Sequence, residues 1–426
     1  MLTRRHDWPA RLRETVEAAR RKPFAYGSHH CLLFAADAIL AMTDLDPHCF
    51  MANHADIFRQ IDVFDSGGHE MFVRWLRSQG HTVAGIFVGG IDAEMTAATV
   101  ASTFGMLGIS EGAAYACKDK LVMRRAFLEA GVSPIKWCYA RTVQHIPPHM
   151  WITMGRTGAL VVKPRRNSAS RGIRIVREYV DMADAIAFAR DAGGDDLVLI
   201  EEYLAGSQHS VEIARVGDAW VGLNIVDRIF DSERPLIEIG HVNPSVIPSR
   251  EHHGFDPHTQ VSREEVFDLV QRAADAVGVT EGIFKADIVI HPTRGPLILE
   301  CTARLSGGFD SQVTTPLTGR NFVALGIALA TGRQIDPDWL RRTRYQTIAC
   351  VAAFPPPGVI ADFYALNGSY QEMRFFYESK HPYVGADILR FVKGDRIPPY
   401  ADCGGRAAFV VRSDSYDSGA MAAWEE

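Results

Sequence analysis

Two acidic side chains interrupt apolar stretches late in the chain: Asp287 in ADIVI and Glu300 in LILEC. Between them Pro292-Thr293-Arg294-Gly295 reads as a turn, so the flanking segments form a hairpin that brings Asp287 close to level with Glu300. Two carboxylates on one face repel each other unless a cation lies between them. Mg²⁺, a hard ion preferring oxygen, suits that place and would bridge nucleotide phosphates. The competing description is a pair of exposed strand residues.

Lys163 follows the apolar run Ala159 to Val162 and so ends a buried strand. A lysine there either snorkels to the surface or has an anionic partner. The loop after it, 164–172, is rich in small and polar residues, among them Ser168, Ser170, Arg171 and Gly172. Such a loop can fold its N–H groups over phosphate oxygens while Arg171 and Lys163 add charge. The alternative is an exposed hairpin tip. Arg304, four residues past Glu300, carries a planar fork suited to a phosphate or acyl-phosphate oxygen, and Gly307 and Gly308 let backbone approach a ligand closely.

The elements that position these residues alternate between strand and helix. Residues 1–52 read as helical, with LLFAADAILAM (32–42) the most apolar part. IDVF (61–64) and HTVAGIFVGG (81–90) read as strands and 70–80 and 93–105 as helices, which predicts a small parallel sheet. A single amphipathic helix is expected over 118–131. ALVVK (159–163) and IRIV (173–176) pair as a hairpin, 181–193 is a helix, and LVLIEEYL (197–204) is a strand. Residues 210–230 alternate like an antiparallel pair turned at Gly217-Asp218. Ser262 with Glu265 makes a capping box for a helix over 262–278.

The 426 residues predict two to four packed domains, and 47% hydrophobic with 23% charged residues is the composition of an ordinary globular protein. A net charge of -6 argues against a coat for nucleic acid or an anionic membrane. The sequence shows no apolar run long enough to span a bilayer and no secretory h-region at the N-terminus. Seven scattered cysteines without a CxxC pair fit reduced thiols, so a cytoplasmic enzyme is expected.

Taken in order, Lys118-Asp119-Lys120, Val162-Lys163-Pro164 with its polar loop, Ile200-Glu201-Glu202-Tyr203-Leu204, and the Asp287 hairpin leading through Glu300 to Arg304 and Ser306-Gly307-Gly308 resemble the ATP-grasp superfamily, in particular its carboxylate–amine ligase branch. The resemblance spans roughly 60–426, with its core over 118–320. It implies an α/β (α+β) ATP-grasp fold with a short parallel pre-ATP-grasp domain and an added N-terminal helical segment. The domains expected are 1–52, 53–115, 116–335 with a mobile lid near 138–205, and 336–426.

The resemblance also implies roles. Lys120 and Lys163 are the nucleotide-phosphate lysines, and Glu201, Glu202, Tyr203 and Leu204 hold adenine by backbone bonds and apolar contact. Asp287 and Glu300 bind Mg²⁺, with Mn²⁺ as a substitute, and Arg304 stabilises the transferred phosphate. Three departures stand out. Thr302 replaces the usual metal-binding Asn, Gln208 stands where a ribose-binding acid is expected, and Asp287 replaces the commoner Glu. EIGHVNPSVIPS (238–249) is similar to the segment lining the acceptor end, where Glu238 and His241 are the polar candidates. Arg320 is either a substrate-carboxylate ligand or a surface residue.

ATP and a small carboxylate, joined to an amine through an acyl phosphate, are the implied substrates, with an amino acid or small peptide as one partner. The resemblance is compatible with a homodimer. The enzyme alternative is a biotin carboxylase or carbamoyl-phosphate type that phosphorylates bicarbonate. The non-enzyme alternative is an ATP-binding protein without turnover. Tyr26 to Cys31, followed by an apolar helix, is faintly similar to phage-associated cysteine peptidase-like domains, with no later histidine partner.

Overall fold

The computed structural model describes residues 61–168, 170–232, 235–307, Asp310, Thr315, 318–342 and four short strands beyond. The helical segment expected over 1–52, including Cys31, lies outside the described residues, as does Gly308.

The first described element is helix α1 (Ser66–Ser78), whose N-cap Asp65 accepts from Gly68 N–H. Helix α2 (Glu94–Phe104) closes on Gly105 in the left-handed region. The parallel sheet expected here is absent from the described residues: 61–64 is a turn and 81–90 mostly extended chain, joined only by a parallel bridge from Gly85 to Leu107. Gly85 lies so close to the Ala330 carbonyl that a Cβ would overlap it at 1.8 Å, so this segment packs on the rest of the chain instead of pairing.

The single helix expected over 118–131 is two: α3 (Glu111–Lys118) and α4 (Lys120–Glu129). Asp119 ends the first and caps the second, its Oδ1 accepting from Leu121 N–H at 3.1 Å. Amphipathic periodicity runs through such a break because both helices bury the same side.

Strand β1 (Trp137–Ala140) and helix α5 (Pro148–Thr157) follow; neither stands out in the periodicity. Then come β2 (Leu160–Pro164), β3 (Arg174–Val176), α6 (Met182–Gly193) and β4 (Val198–Glu202). The four strands form an antiparallel sheet in the order β1-β4-β2-β3. Its helix-covered face is a core of Leu160, Val162, Met150, Met182, Ile186 and Ile200.

The larger sheet is also antiparallel. Strands β5 (Ser207–Val216) and β6 (Ala219–Phe230) turn at Gly217-Asp218 as expected, and β7 (Glu238–Asn243) pairs with β6. Helix α7 (Arg263–Ala276) starts at Ser262 with a complete capping box. Strands β8 (Ile283–His291) and β9 (Gly295–Thr302) form the expected hairpin, followed by α8 (Phe322–Thr331). Distal strands β10 (Thr347–Ala353) and β13 (Ala407–Ser413) extend the sheet to seven, in the order β13-β10-β7-β6-β5-β8-β9, while β11 (Gly358–Val359) and β12 (Arg396–Ile397) pair apart. One face of this sheet packs on α3, α4 and α7 through Phe127, Val266, Val270, Phe284, Ile288 and Ile298. The opposite face packs in part on α8 through Ala214, Leu223, Ile283 and Leu325, and elsewhere lines a polar cleft. Among the described residues no helix is long and apolar enough to cross a membrane.

Replacing Ser262 by Ala removes the acceptor of the Glu265 N–H at 3.2 Å. The expected loss is about 1 kcal/mol in urea unfolding, and an unchanged midpoint would show that the cap adds nothing.

Candidate active site

A register shift in the β8–β9 hairpin makes the site. Asp287 faces Glu300 while Ile288 faces Ile298, so Leu299 is the extra residue of a bulge. Residues two apart on a regular strand share a face. The bulge breaks that rule: Ile298 enters the core while Glu300 joins Asp287 in the cleft. The level pair expected from the sequence is therefore present, achieved by an irregularity that alternation does not show.

The cleft, about 320 Å³, lies between the two sheets. Lys120, Lys163, Ser168, Ser170, Arg171, Glu201, Glu202, Tyr203, Leu204, Gln208, Glu238, His241, Asp287, Glu300, Arg304 and Gly307 all line it. Gly172 does not; its φ of +77° and its contact with Pro164 and Ala192 make it a turn and packing residue. Thr302 does not either, because its hydroxyl donates to Glu94 Oε1 at 2.7 Å. Arg320 is half-buried rather than on the surface, and its guanidinium donates to the Leu223 carbonyl at 2.9 Å.

The two lysines are held differently. Lys163 Nζ is in direct contact with Glu201, whose other oxygen is bonded to Arg124. Arg124 also donates to the Ile298 and Leu299 carbonyls at 2.9 and 2.8 Å, tying the small sheet's centre to the bulge. Burial lowers the pKa of Lys163 despite the Glu201 carboxylate. Burial also works against the Glu201 charge, but Arg124 and Lys163 outweigh it and hold the carboxyl below its usual range. Lys120 Nζ donates to the Asn167 carbonyl at 2.8 Å and lies 3.4 Å from Glu300. The polar loop is anchored at its root: Arg165 Nε donates to Asp119 at 2.6 Å, and the Lys120 N–H to the Arg165 carbonyl.

On strand β4, Glu202 accepts from the Lys136 N–H at 2.8 Å and Arg294 at 2.9 Å, so its side chain is structural. The Tyr203 N–H donates to the Ala159 carbonyl.

Three charged residues that the sequence left unmarked complete the site. Arg228 on β6 donates to Glu238 at 2.8 Å and lies 3.1 Å from Asp287. Lys285 Nζ is 2.6 Å from Asp287 Oδ1. Asp92 accepts both Nε and Nη2 of Arg304 on one oxygen, at 3.1 and 2.5 Å. Burial disfavours its charge, but Arg304, Lys118 and Ser168 hold it far below the ordinary range. Lys285 had a legible signal, standing two residues before Asp287 in the same strand. Asp92 had none, since it and its partner are 212 positions apart in the chain.

The donor set fits a hard cation. Asp287 and Glu300 present carboxylate oxygens to one cleft, and Asp287 Oδ1 has no well-directed hydrogen bond despite the nearby lysine. Mg²⁺ is held by one or two carboxylates plus substrate phosphates rather than by a protein cage. Glu300 is primed as an anion. Burial opposes its charge, yet Lys120, Lys285, Lys163 and Arg228 pull its pKa down to about 2.

Two antiparallel sheets thus enclose a cleft of lysines, arginines and a carboxylate pair. Residues 117–308 match the ATP-grasp domain. Residues 3–56 match a domain of unknown function. The D-alanine–D-alanine ligase of Bordetella petrii is 28% identical over 222 residues, 50% of this chain and 60% of that protein. The chain spans about half to three-fifths of the first curated relatives it matches. Among solved structures, an L-amino acid ligase from Bacillus licheniformis superposes with a TM-score of 0.63 at 16% identity, covering 85% of this chain and 83% of that one. A biotin carboxylase from Campylobacter jejuni does so with 0.57 at 16% identity, covering 84% and 76%. The two structural likenesses show a shared fold.

Glu201→Gln leaves Lys163 and Arg124 sharing a neutral partner. The expected loss is about 3–5 kcal/mol in chemical unfolding; a loss below about 1 kcal/mol would show that the triad is not structural. Glu300 has a lowered folded-state pKa, so its stabilisation is present above its ordinary 4.5 and lost as pH falls toward 2. The stability difference between wild type and Glu300→Gln is expected to stay flat from pH 7 to 5 and to change only below that window.

Proposed function

We propose that the chain is a carboxylate–amine ligase that forms an amide bond and converts ATP to ADP and phosphate. The observation that carries this is the convergence of Lys120, Lys163 and Arg304 on the cleft that also holds the Asp287–Glu300 pair. The lysines and Arg304 stabilise charge on the γ-phosphate while a substrate carboxylate attacks it, giving an acyl phosphate. An amine then displaces phosphate. Loop 164–172, rooted on Asp119, closes the cleft side and excludes water from the intermediate. Mg²⁺ held by Asp287 and Glu300 would supply charge neutralisation at the phosphates. Thr302, bonded to Glu94, has no part in that ligand set.

Glu238 and His241 line the cleft from β7, with Arg228 bracing Glu238. They are the residues we assign to the carboxylate substrate, an amino acid or small peptide. Tyr203, Leu204 and Gln208 are assigned to adenosine. In this proposal residues 53–115 form a pre-ATP-grasp unit, 116–335 the ATP-grasp domain with its lid near 138–205, and 336–426 the completing subdomain.

ADP release by the purified protein, screened with Mg²⁺-ATP against amino acids, small carboxylates and bicarbonate, tests the proposal. Turnover needing both a carboxylate and an amine is expected, reduced at least about a hundredfold in Lys163→Ala and Glu300→Ala. Dependence on bicarbonate alone would select the carboxylase-type reaction instead, and turnover surviving both substitutions would move the active site elsewhere.

A further inference from the structure

The segment Gly90-Ile91-Asp92 lies outside the residues that match the ATP-grasp domain, yet it reaches the centre of the site. Asp92 Oδ1 accepts from both Nε and Nη2 of Arg304, and Arg304 Nη1 donates to the Leu305 carbonyl at 2.7 Å. A guanidinium carries five N–H donors in a planar fork. Three are spent on these contacts, so two remain for a ligand oxygen and the plane of the fork is set from behind. Gly90 backs the same place: a Cβ on Gly307 would lie 3.0 Å from the Gly90 carbonyl and 3.7 Å from Arg304 Nη1.

Asp92 also meets the polar loop. The Ser168 hydroxyl donates to its carboxylate. Ser168 Oγ in turn accepts from Arg171 Nη2 at 3.1 Å, which gathers the loop tip around that contact. Lys118 Nζ donates to the Asp92 carbonyl at 3.4 Å, and the next residue, Asp119, holds the loop root through Arg165. Arg304 itself makes no hydrogen bond to the loop among the described residues, so Asp92 is the link between them.

We propose that Asp92 is a positioning residue that couples the seating of the loop tip to the aim of Arg304. The arginine is then set for phosphoryl transfer only when the cleft is covered. The inference rests on the role given to Arg304 above. The Ser168 hydroxyl restricts the rotamer of the carboxylate, and the carboxylate restricts the plane of the fork. With the loop away, Asp92 is free to turn and to carry the guanidinium with it. An acyl phosphate formed in an uncovered cleft would be lost to water, and this coupling prevents that loss.

Trypsin reports the loop, which carries Arg165, Arg166 and Arg171. Cleavage there is expected at least about fivefold faster in Asp92→Asn and in Ser168→Ala than in the wild type. Arg304→Gln is expected to speed it comparably, although it alters nothing in the loop, and to add nothing in the Asp92→Asn background. Equal cleavage in the wild type and Asp92→Asn overturns the tether. Effects of Asp92→Asn and Arg304→Gln that simply multiply overturn the coupling. Ser168→Ala, which removes only a loop hydroxyl, decides alone where loss of a buried charge unfolds the chain. Kinetics separate positioning from a purely structural role. In Asp92→Asn and Ser168→Ala kcat is expected to fall at least about tenfold while the KM for ATP stays within about threefold. ADP formed per amide bond should rise above the wild-type ratio in both. A raised KM with kcat unchanged overturns the positioning role. A wild type that releases no ADP with any carboxylate and amine overturns the ligase reading instead, and the cleavage result then decides the coupling.

Discussion

The Glu201 carboxylate, buried between Lys163 and Arg124, is the contact on which the rest of the site depends. It sits on the central strand of the small sheet, and its two cations come from different places: one from the neighbouring strand, the other from the helix that follows Asp119. Arg124 then reaches the carbonyls of Ile298 and Leu299. One anion thereby fixes the distance between Lys163 in the cleft and the strand that carries Glu300. Buried ion triads are weak evidence for net stability, since hydrophobic replacements often do as well. Here the triad specifies geometry, joining two sheets that otherwise have separate cores.

Charge balance in the cleft is maintained by pairs rather than by solvent. Arg228 spans Glu238 and Asp287, Lys120 stands by Glu300, and Arg304 leans on Asp92. Lys120, Lys163, Lys285, Arg228 and Arg304 each already have a carboxylate partner. An anion entering the cleft would therefore exchange partners without exposing bare charge to a low-dielectric wall, which lowers the reorganisation its arrival requires.

Much of this was legible in the chain because it is local. The Gly217-Asp218 turn, the Ser262 capping box and the β8–β9 hairpin each depend on residues a few positions apart. The residues expected in the cleft were found because lysines and carboxylates in apolar strands are conspicuous. What was not legible is non-local. The Asp92–Arg304 pair and the Glu94–Thr302 bond join segments more than 200 residues apart, and Arg228 looks like an ordinary strand-end arginine. The parallel sheet was wrongly expected because alternating apolar runs at 61–64 and 81–90 carry no information about what covers them, and α8 takes that place. The break at Asp119 was missed because a cap within an amphipathic run leaves its period intact.

The bulge at Leu299 gives strand β9 two masters. Within three residues the chain serves the interior with Ile298 and the cleft with Leu299 and Glu300. Any repacking around Ile298 is felt at Glu300 without a mediating loop, because no flexible segment separates them. Sequence drift in the core of this hairpin is therefore coupled to catalytic geometry, whereas the helix-covered core of the small sheet, around Met150 and Met182, is free to change its side chains with little consequence for the carboxylate pair.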